Sequence, residues 1–159
     1  MVLRSQSGRT VNVTRFAMHR NLKMGESDMF ITREADYGIR TIRALSSGQK
    51  LNITAICEQE KIPRQFAYKI LKKLNYAEIV SIIRGVNGGY VLTADLEKLS
   101  LYDIISAIDE DLFITKCMDF AYDCEQDRGK DNCRVHQEFM RIQKVMEEEL
   151  KKTPVSRLV

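Results

Sequence analysis

The stretch NITAICEQEKIPRQFAYKILKKLNYAEIVSIIRGVNGGYVL, residues 52–92, changes its hydrophobic period from helical to strand-like and is punctuated by one proline and three glycines. Asn52 suits a helix N-cap, because its side-chain carbonyl can accept from an orphan backbone N–H of the first turn. The short helix that follows carries Ile53, Ile56 and Cys57 on one side. It stops near Lys61-Ile62-Pro63, since proline fits a helix start and not a helix interior. In the next helix Phe66, Ala67, Ile70, Leu71 and Leu74 make one apolar stripe, which leaves Gln65, Tyr68, Lys69, Lys72 and Lys73 on the outer faces. Two β-rich runs, residues 79–83 and 90–92, are then joined by Arg84-Gly85-Val86-Asn87-Gly88-Gly89, whose Asn-Gly step favours a tight hairpin.

Working outward, Thr32 caps an upstream helix in which Ala35, Ile39, Ile42 and Leu45 recur at helical spacing, with Gly48 at its end. Downstream, Ser100 and Asp103 have capping-box spacing before Leu101, Ile104, Ile105 and Ile108. Val135, Phe139, Ile142, Met146 and Leu150 define a long amphipathic helix closed by Pro154. The fold class is therefore mainly α with a small β-hairpin, a winged helix-turn-helix followed by a long C-terminal dimerisation helix. Residues 1–28 are expected to be a poorly ordered basic extension, ending just before a second start at Met29, with a phosphate-touching arm as the rival. Residues 29–98 form the winged helix-turn-helix domain, and residues 99–159 the cysteine-bearing loop and dimerisation helices. The glycine-rich turn is not a phosphate loop, because it joins two strands and no Lys-Ser/Thr follows.

The net charge of +3 conceals its distribution. Residues 61–90 hold six Lys/Arg against one acid, whereas residues 95–159 hold ten against fifteen. A cationic helix beside a hairpin has the order needed to lie in a DNA major groove while the wing reaches backbone or minor groove. Arg64, Lys69, Lys72 and Lys73 would neutralise phosphates, with affinity falling steeply in salt. Arg64 could pair with guanine, Gln65 with adenine, and Tyr68 with a phosphate or a thymine methyl. Arg84 suits a narrow minor groove, and at Asn87 and Gly88 the backbone can come close. For each of these residues alone, a solvated surface position is the plainer alternative. No nucleophile, base and orienting group come together, His19 and His136 included, so an enzyme is not expected. A protein-binding adaptor that keeps the winged helix is the other class. No apolar run approaches the roughly 20 residues of a membrane span, and no signal segment is seen, so a cytoplasmic protein is expected.

Of the cysteines, Cys117, Cys124 and Cys133 cluster, which in a cytosolic chain suggests metal ligation or redox chemistry before structural disulfides. Cys57, with Ile53 and Ile56, is read as a small buried apolar group. The segments 31–38 (ITREADYG), 83–90 (IRGVNGGY), 104–109 (IISAID) and the closing Leu158-Val159 together resemble the Rrf2 family of winged-helix regulators, from Met29 to the end. That resemblance implies a homodimer formed through the long helix on a two-fold-related operator. It also implies that Cys117, Cys124 and Cys133 hold an iron-sulfur cluster, 2Fe-2S or 4Fe-4S, through which redox, iron or nitric oxide status is sensed. The fourth ligand would be Asp36 or His136; the alternatives are an ion pair of Asp36 with Arg40 and an ordinary helix-start residue at His136. Six residues separate Cys117 from Cys124 and eight separate Cys124 from Cys133, wider than the family pattern. A zinc site of the three cysteines and His136, a thiol switch, or no cofactor are the other readings.

Overall fold

In the computed structural model the described residues are 31–109, 112–119, 122 and 133–159, together with two short strands, β1 (Leu3–Arg4) and β2 (Thr10–Val11), paired antiparallel. Apart from those strands, the expectation for residues 1–28 lies outside the described residues, as does Cys124.

Helix α1 (Arg33–Leu45) starts where Thr32 Oγ1 accepts from the Ala35 amide at 3.1 Å. It buries Ala35, Ile42 and Leu45 completely, with Tyr37, Gly38, Thr41 and Ala44 also inside, so that it forms the centre of the fold rather than one wall. Helix α2 (Ile53–Glu60) is capped by Asn52, which accepts from Ala55 at 2.9 Å, and ends at Lys61 in the left-handed region. Pro63 follows as N-cap of α3 (Arg64–Tyr76), whose Ala67, Ile70, Leu71 and Leu74 are buried. Each large aliphatic side chain taken out of water here contributes about 1.5–3 kcal/mol.

Strands β3 (Val80–Ile83) and β4 (Gly89–Leu92) pair antiparallel, from Val80 opposite Leu92 to Ile83 opposite Gly89. Leu51 bridges the other edge of β4 by exchanging both backbone hydrogen bonds with Tyr90, which fixes the hairpin to the α1–α2 connection. The reversal is the tight hairpin that the Asn-Gly step and the glycines favour. The Gly88 amide donates to the Gly85 carbonyl at 2.9 Å, so Val86 and Asn87 are the central pair and Gly85, at φ 114°, supplies the left-handed residue.

Helix α4 (Leu101–Ile108) begins with a complete Ser100–Asp103 capping box and adds Ile104, Ile105 and Ile108 to the same core as α1–α3. At Gly38 a Cβ would lie 2.9 Å from Ile108 Cγ1, so the α1–α4 crossing is as close as glycine allows. Helix α5 (Arg134–Lys152) is the longest, and beyond it the Val155 amide donates to Leu99, returning the chain to the start of α4.

Candidate nucleic-acid interface and cysteine region

One side of α3 is committed to the core, and the 3.6-residue period leaves the other in water. Arg64, Gln65, Tyr68, Lys69 and Lys72 are all exposed. The Arg64 guanidinium lies 5.9 Å from the Tyr68 ring centroid, and its hydrogen bond to Tyr68 raises an already high pKa. Burial pushes the Tyr90 phenol up, with Tyr68 adding to it, and α3 packs against β3 at the base of the wing. Arg84, Val86 and Asn87 are exposed at the wing tip. At Gly88 a Cβ would sit 2.4 Å from the Ile83 carbonyl oxygen, so this turn closes only around glycine.

The five α3 side chains that the periodicity put outward besides Arg64 do not share one environment. Lys72 makes no ion pair among the described residues. Lys69 Nζ lies 2.7 Å from a Glu34 carboxylate oxygen. Lys73 is half-buried; it donates to the Ile108 carbonyl at the end of α4 and lies 3.7 Å from Glu34. A cation there complements the negative end of a helix dipole. Lys73 thus has a structural task that its surface-like spacing did not announce.

Three further residues were missed by sequence reasoning. Lys50 donates to the Asn87 carbonyl at 2.6 Å and pins the wing from below. Glu60 is buried and accepts from Arg43 Nε at 3.1 Å, and this carboxylate raises the Arg43 pKa while locking α2 against α1. Gln143 is the one buried residue of α5: its amide donates to the Leu112 carbonyl at 2.7 Å and accepts from the Ile114 amide at 3.1 Å. The only signal for it was a polar side chain beside the apolar stripe of a helix.

That pairing fastens the start of the cysteine region to α5. Cys117 lies half-buried in a short 3-10 turn (Lys116–Met118), its sulfur 3.8 Å from Thr115 Oγ1. Cys133 is the N-cap of α5, makes no capping hydrogen bond with its side chain, and is followed within the first turn by half-buried His136. Asp36 pairs with Arg40 at 2.8 Å, the alternative anticipated for it. Among the described residues no three His, Cys, Asp or Glu side chains converge into a metal-binding group. Cys57 packs against the core but is half-buried rather than buried, and desolvation pushes its thiol pKa up.

On α5 itself Phe139, Met146 and Leu150 are half-buried against the chain, whereas Val135 at 62%, Ile142 at 38% and Val145 at 46% remain exposed along the adjoining strip. Among the described residues no helix is long and apolar enough to cross a membrane.

Comparison with known proteins agrees with this architecture. The family model described as Rrf2, iron-dependent transcriptional regulator, matches residues 31–159. The HTH-type transcriptional regulator IscR of Vibrio campbellii is 31% identical over 111 residues, covering 68% of this chain and 64% of that protein. Oxidized CymR of Staphylococcus aureus superposes with a TM-score of 0.62 at 20% identity, covering 82% of this chain and 95% of that one. IscR of T. potens gives 0.60 at 17% identity, covering 84% and 88%. At these identities the two structural likenesses are of fold.

Proposed function

Because the chain belongs to the Rrf2 family of helix-turn-helix transcriptional regulators, we propose that it works as a homodimer that reads double-stranded DNA with α3 and the β3–β4 wing, under control of an iron-sulfur cluster at its cysteines. The observation that carries the reading is the division of α3. Its apolar half is consumed by the core, while Arg64, Gln65, Tyr68, Lys69 and Lys72 stand in the open against the wing.

In this reading Arg64 and Gln65, at the helix start, face guanine and adenine edges, and Tyr68 a phosphate or thymine methyl. Lys69 and Lys72 neutralise phosphates, with Lys73 behind them. Arg84 enters the minor groove, with the backbone at Asn87 and Gly88 close to the phosphates. Val135, Ile142 and Val145 give α5 an exposed apolar strip without a partner among the described residues, the natural seam for a second copy in a two-fold arrangement.

The donor chemistry fits the cofactor: Cys117, Cys124 and Cys133 are soft ligands within one segment, Cys117 and Cys133 are free thiols, and Asp36 and His136 are the candidates for the remaining position. When bound, such a cluster supplies a redox- and ligand-sensitive centre. The chain's own part is mechanical. Gln143 holds residues 112 and 114 on α5, and Thr32 donates to Asp109 at 2.7 Å, tying the loop's beginning to the head of α1. A change in the loop therefore bears on both the dimer seam and the reading head.

The test is purification without oxygen, followed by a visible spectrum, iron and sulfide analysis, and sedimentation with and without duplex DNA. Coloured protein with iron and sulfide, a mass of two chains, and binding that weakens steeply with salt are expected. A folded monomer, or colourless protein that takes up only zinc after reconstitution, would overturn the dimer or the cluster respectively. Salt-insensitive binding that survives Lys69→Glu with Lys72→Glu would leave the adaptor reading in its place.

A further inference from the structure

Glu34 stands at the second position of α1, yet its carboxylate points at α3, one oxygen 2.7 Å from Lys69 Nζ and the other 3.7 Å from Lys73 Nζ. The Glu34 side chain is 23% exposed and Lys69's is 56%, so a shielded acid holds an open base. Lys72, on the same helix, has no acid opposite it among the described residues. We propose that Glu34 is a built-in competitor for DNA: it occupies Lys69 in the free protein, and a backbone phosphate must displace it.

The proposal rests on the DNA-binding reading and adds to it a residue that sets affinity from outside the interface. Two observations speak against a purely structural pair. The α1–α3 packing is already made by Ala35, Ile42 and Leu45 against Ala67, Ile70 and Leu71, all buried. Lys73, the half-buried lysine, is independently anchored on the Ile108 carbonyl. Only Lys69 is both paired to Glu34 and free to swing outward. A carboxylate in the first turn also suits the α1 dipole, so Glu34 can be retained for helix stability while restraining Lys69.

Displacement has a thermodynamic signature. When phosphate takes Lys69, the released carboxylate gathers cations from solution, which offsets part of the counterion release. Removing the acid should tighten binding and also steepen its salt dependence.

The experiment measures binding of the full chain to a mixed-sequence duplex by fluorescence anisotropy at several salt concentrations. The variants are Glu34→Gln, Lys69→Gln, their combination, and Glu97→Gln, which deletes an exposed acid from another part of the surface. Glu34→Gln is expected to bind about threefold to tenfold more tightly per dimer at low salt, as two released surface pairs allow. The gain should exceed that of Glu97→Gln and vanish when Lys69 is already glutamine. An equal gain from Glu97→Gln, or a gain that persists without Lys69, reduces the effect to net charge and overturns the proposal. If Glu34→Gln melts too low to assay, Glu34→Asp, which keeps the charge and shortens the reach, takes its place in the same cycle; no tightening there also overturns it. Parent protein without salt-sensitive DNA binding would instead defeat the DNA reading itself, and so the two failures are distinguishable.

Discussion

Replacing Gln143 with leucine removes an amide that meets two backbone groups at once, the Leu112 carbonyl at 2.7 Å and the Ile114 amide at 3.1 Å, and a third partner, Glu147, at 2.9 Å. Leucine nearly conserves the volume, so packing on α5 is preserved and the loss is confined to hydrogen bonding. Each such bond has a net worth of about 0.5–1.5 kcal/mol, and two backbone groups are orphaned, giving about 1–3 kcal/mol in favour of local opening. Residues 112–114 sit at the edge of the core, with Phe113 exposed and only Leu112 packed against the central cluster. The released segment can turn to water without unfolding the rest, so the global melting temperature should move little. The assay is amide hydrogen exchange at Ile114, where protection should fall by roughly 5- to 150-fold while amides in α1 and α3 keep theirs. Unchanged exchange at Ile114 would refute the claim that Gln143 clamps the loop. A matched loss of protection in α1 would show that the side chain serves the whole core instead.

Lys72 is exposed and makes no ion pair among the described residues, so Lys72→Gln should reduce the slope of log affinity against log salt by about 0.9 per protomer, or about 1.8 for a dimer, at equal melting temperature; an unchanged slope excludes it from phosphate contact. Gly88→Ala places a methyl 2.4 Å from the Ile83 carbonyl oxygen, and opening the turn to admit it costs about 1–3 kcal/mol of local strain; weaker DNA binding with little change in salt slope is expected, checked by anisotropy. Burial pushes the Cys57 thiol up, which leaves less thiolate at neutral pH, so iodoacetamide should label it slowly and faster as pH rises; Cys57→Ala should leave iron content as it was, measured by elemental analysis.

What could be read from the sequence was local. Thr32, Asn52 and the Ser100–Asp103 pair mark helix starts because a cap acts within three residues, and each forms the expected bond. The stripe of Ala67, Ile70, Leu71 and Leu74 follows from helical period alone, and it settles which side of α3 is left for a partner. The wing is legible as a hairpin, whereas the identity of the positive-φ residue, Gly85, is not, because Gly85, Gly88 and Gly89 all suit it. Asp36 pairs with Arg40 one helical turn on, an i,i+4 contact that the spacing alone suggests, and this pair leaves its proposed ligand role open.

The residues that escaped notice share a cause. Glu60 with Arg43, Lys50 with Asn87, Lys73 with Ile108 and Gln143 with Leu112 join segments far apart in the chain, and no periodicity encodes such pairs. Each is a charged or amide side chain at a position that pattern alone assigns to solvent or to an apolar seam. Burial of Glu60 and Gln143, and half-burial of Lys73, is tolerable because each meets a charge or a backbone group that itself needed a partner, whereas Lys50 makes its bond in the open. The bonds also fall at the joints of the fold: α1 to α2, the wing to its base, α4 to α3, and the cysteine region to α5. Apolar packing holds the reading head together without prescribing the angle of each appendage, since aliphatic contacts are non-directional. Directional polar contacts at the joints do prescribe it. In the proposed dimer, where output would depend on how two reading heads sit relative to each other, these polar joints are the contacts that would set those angles, from positions remote from the proposed DNA-facing side chains.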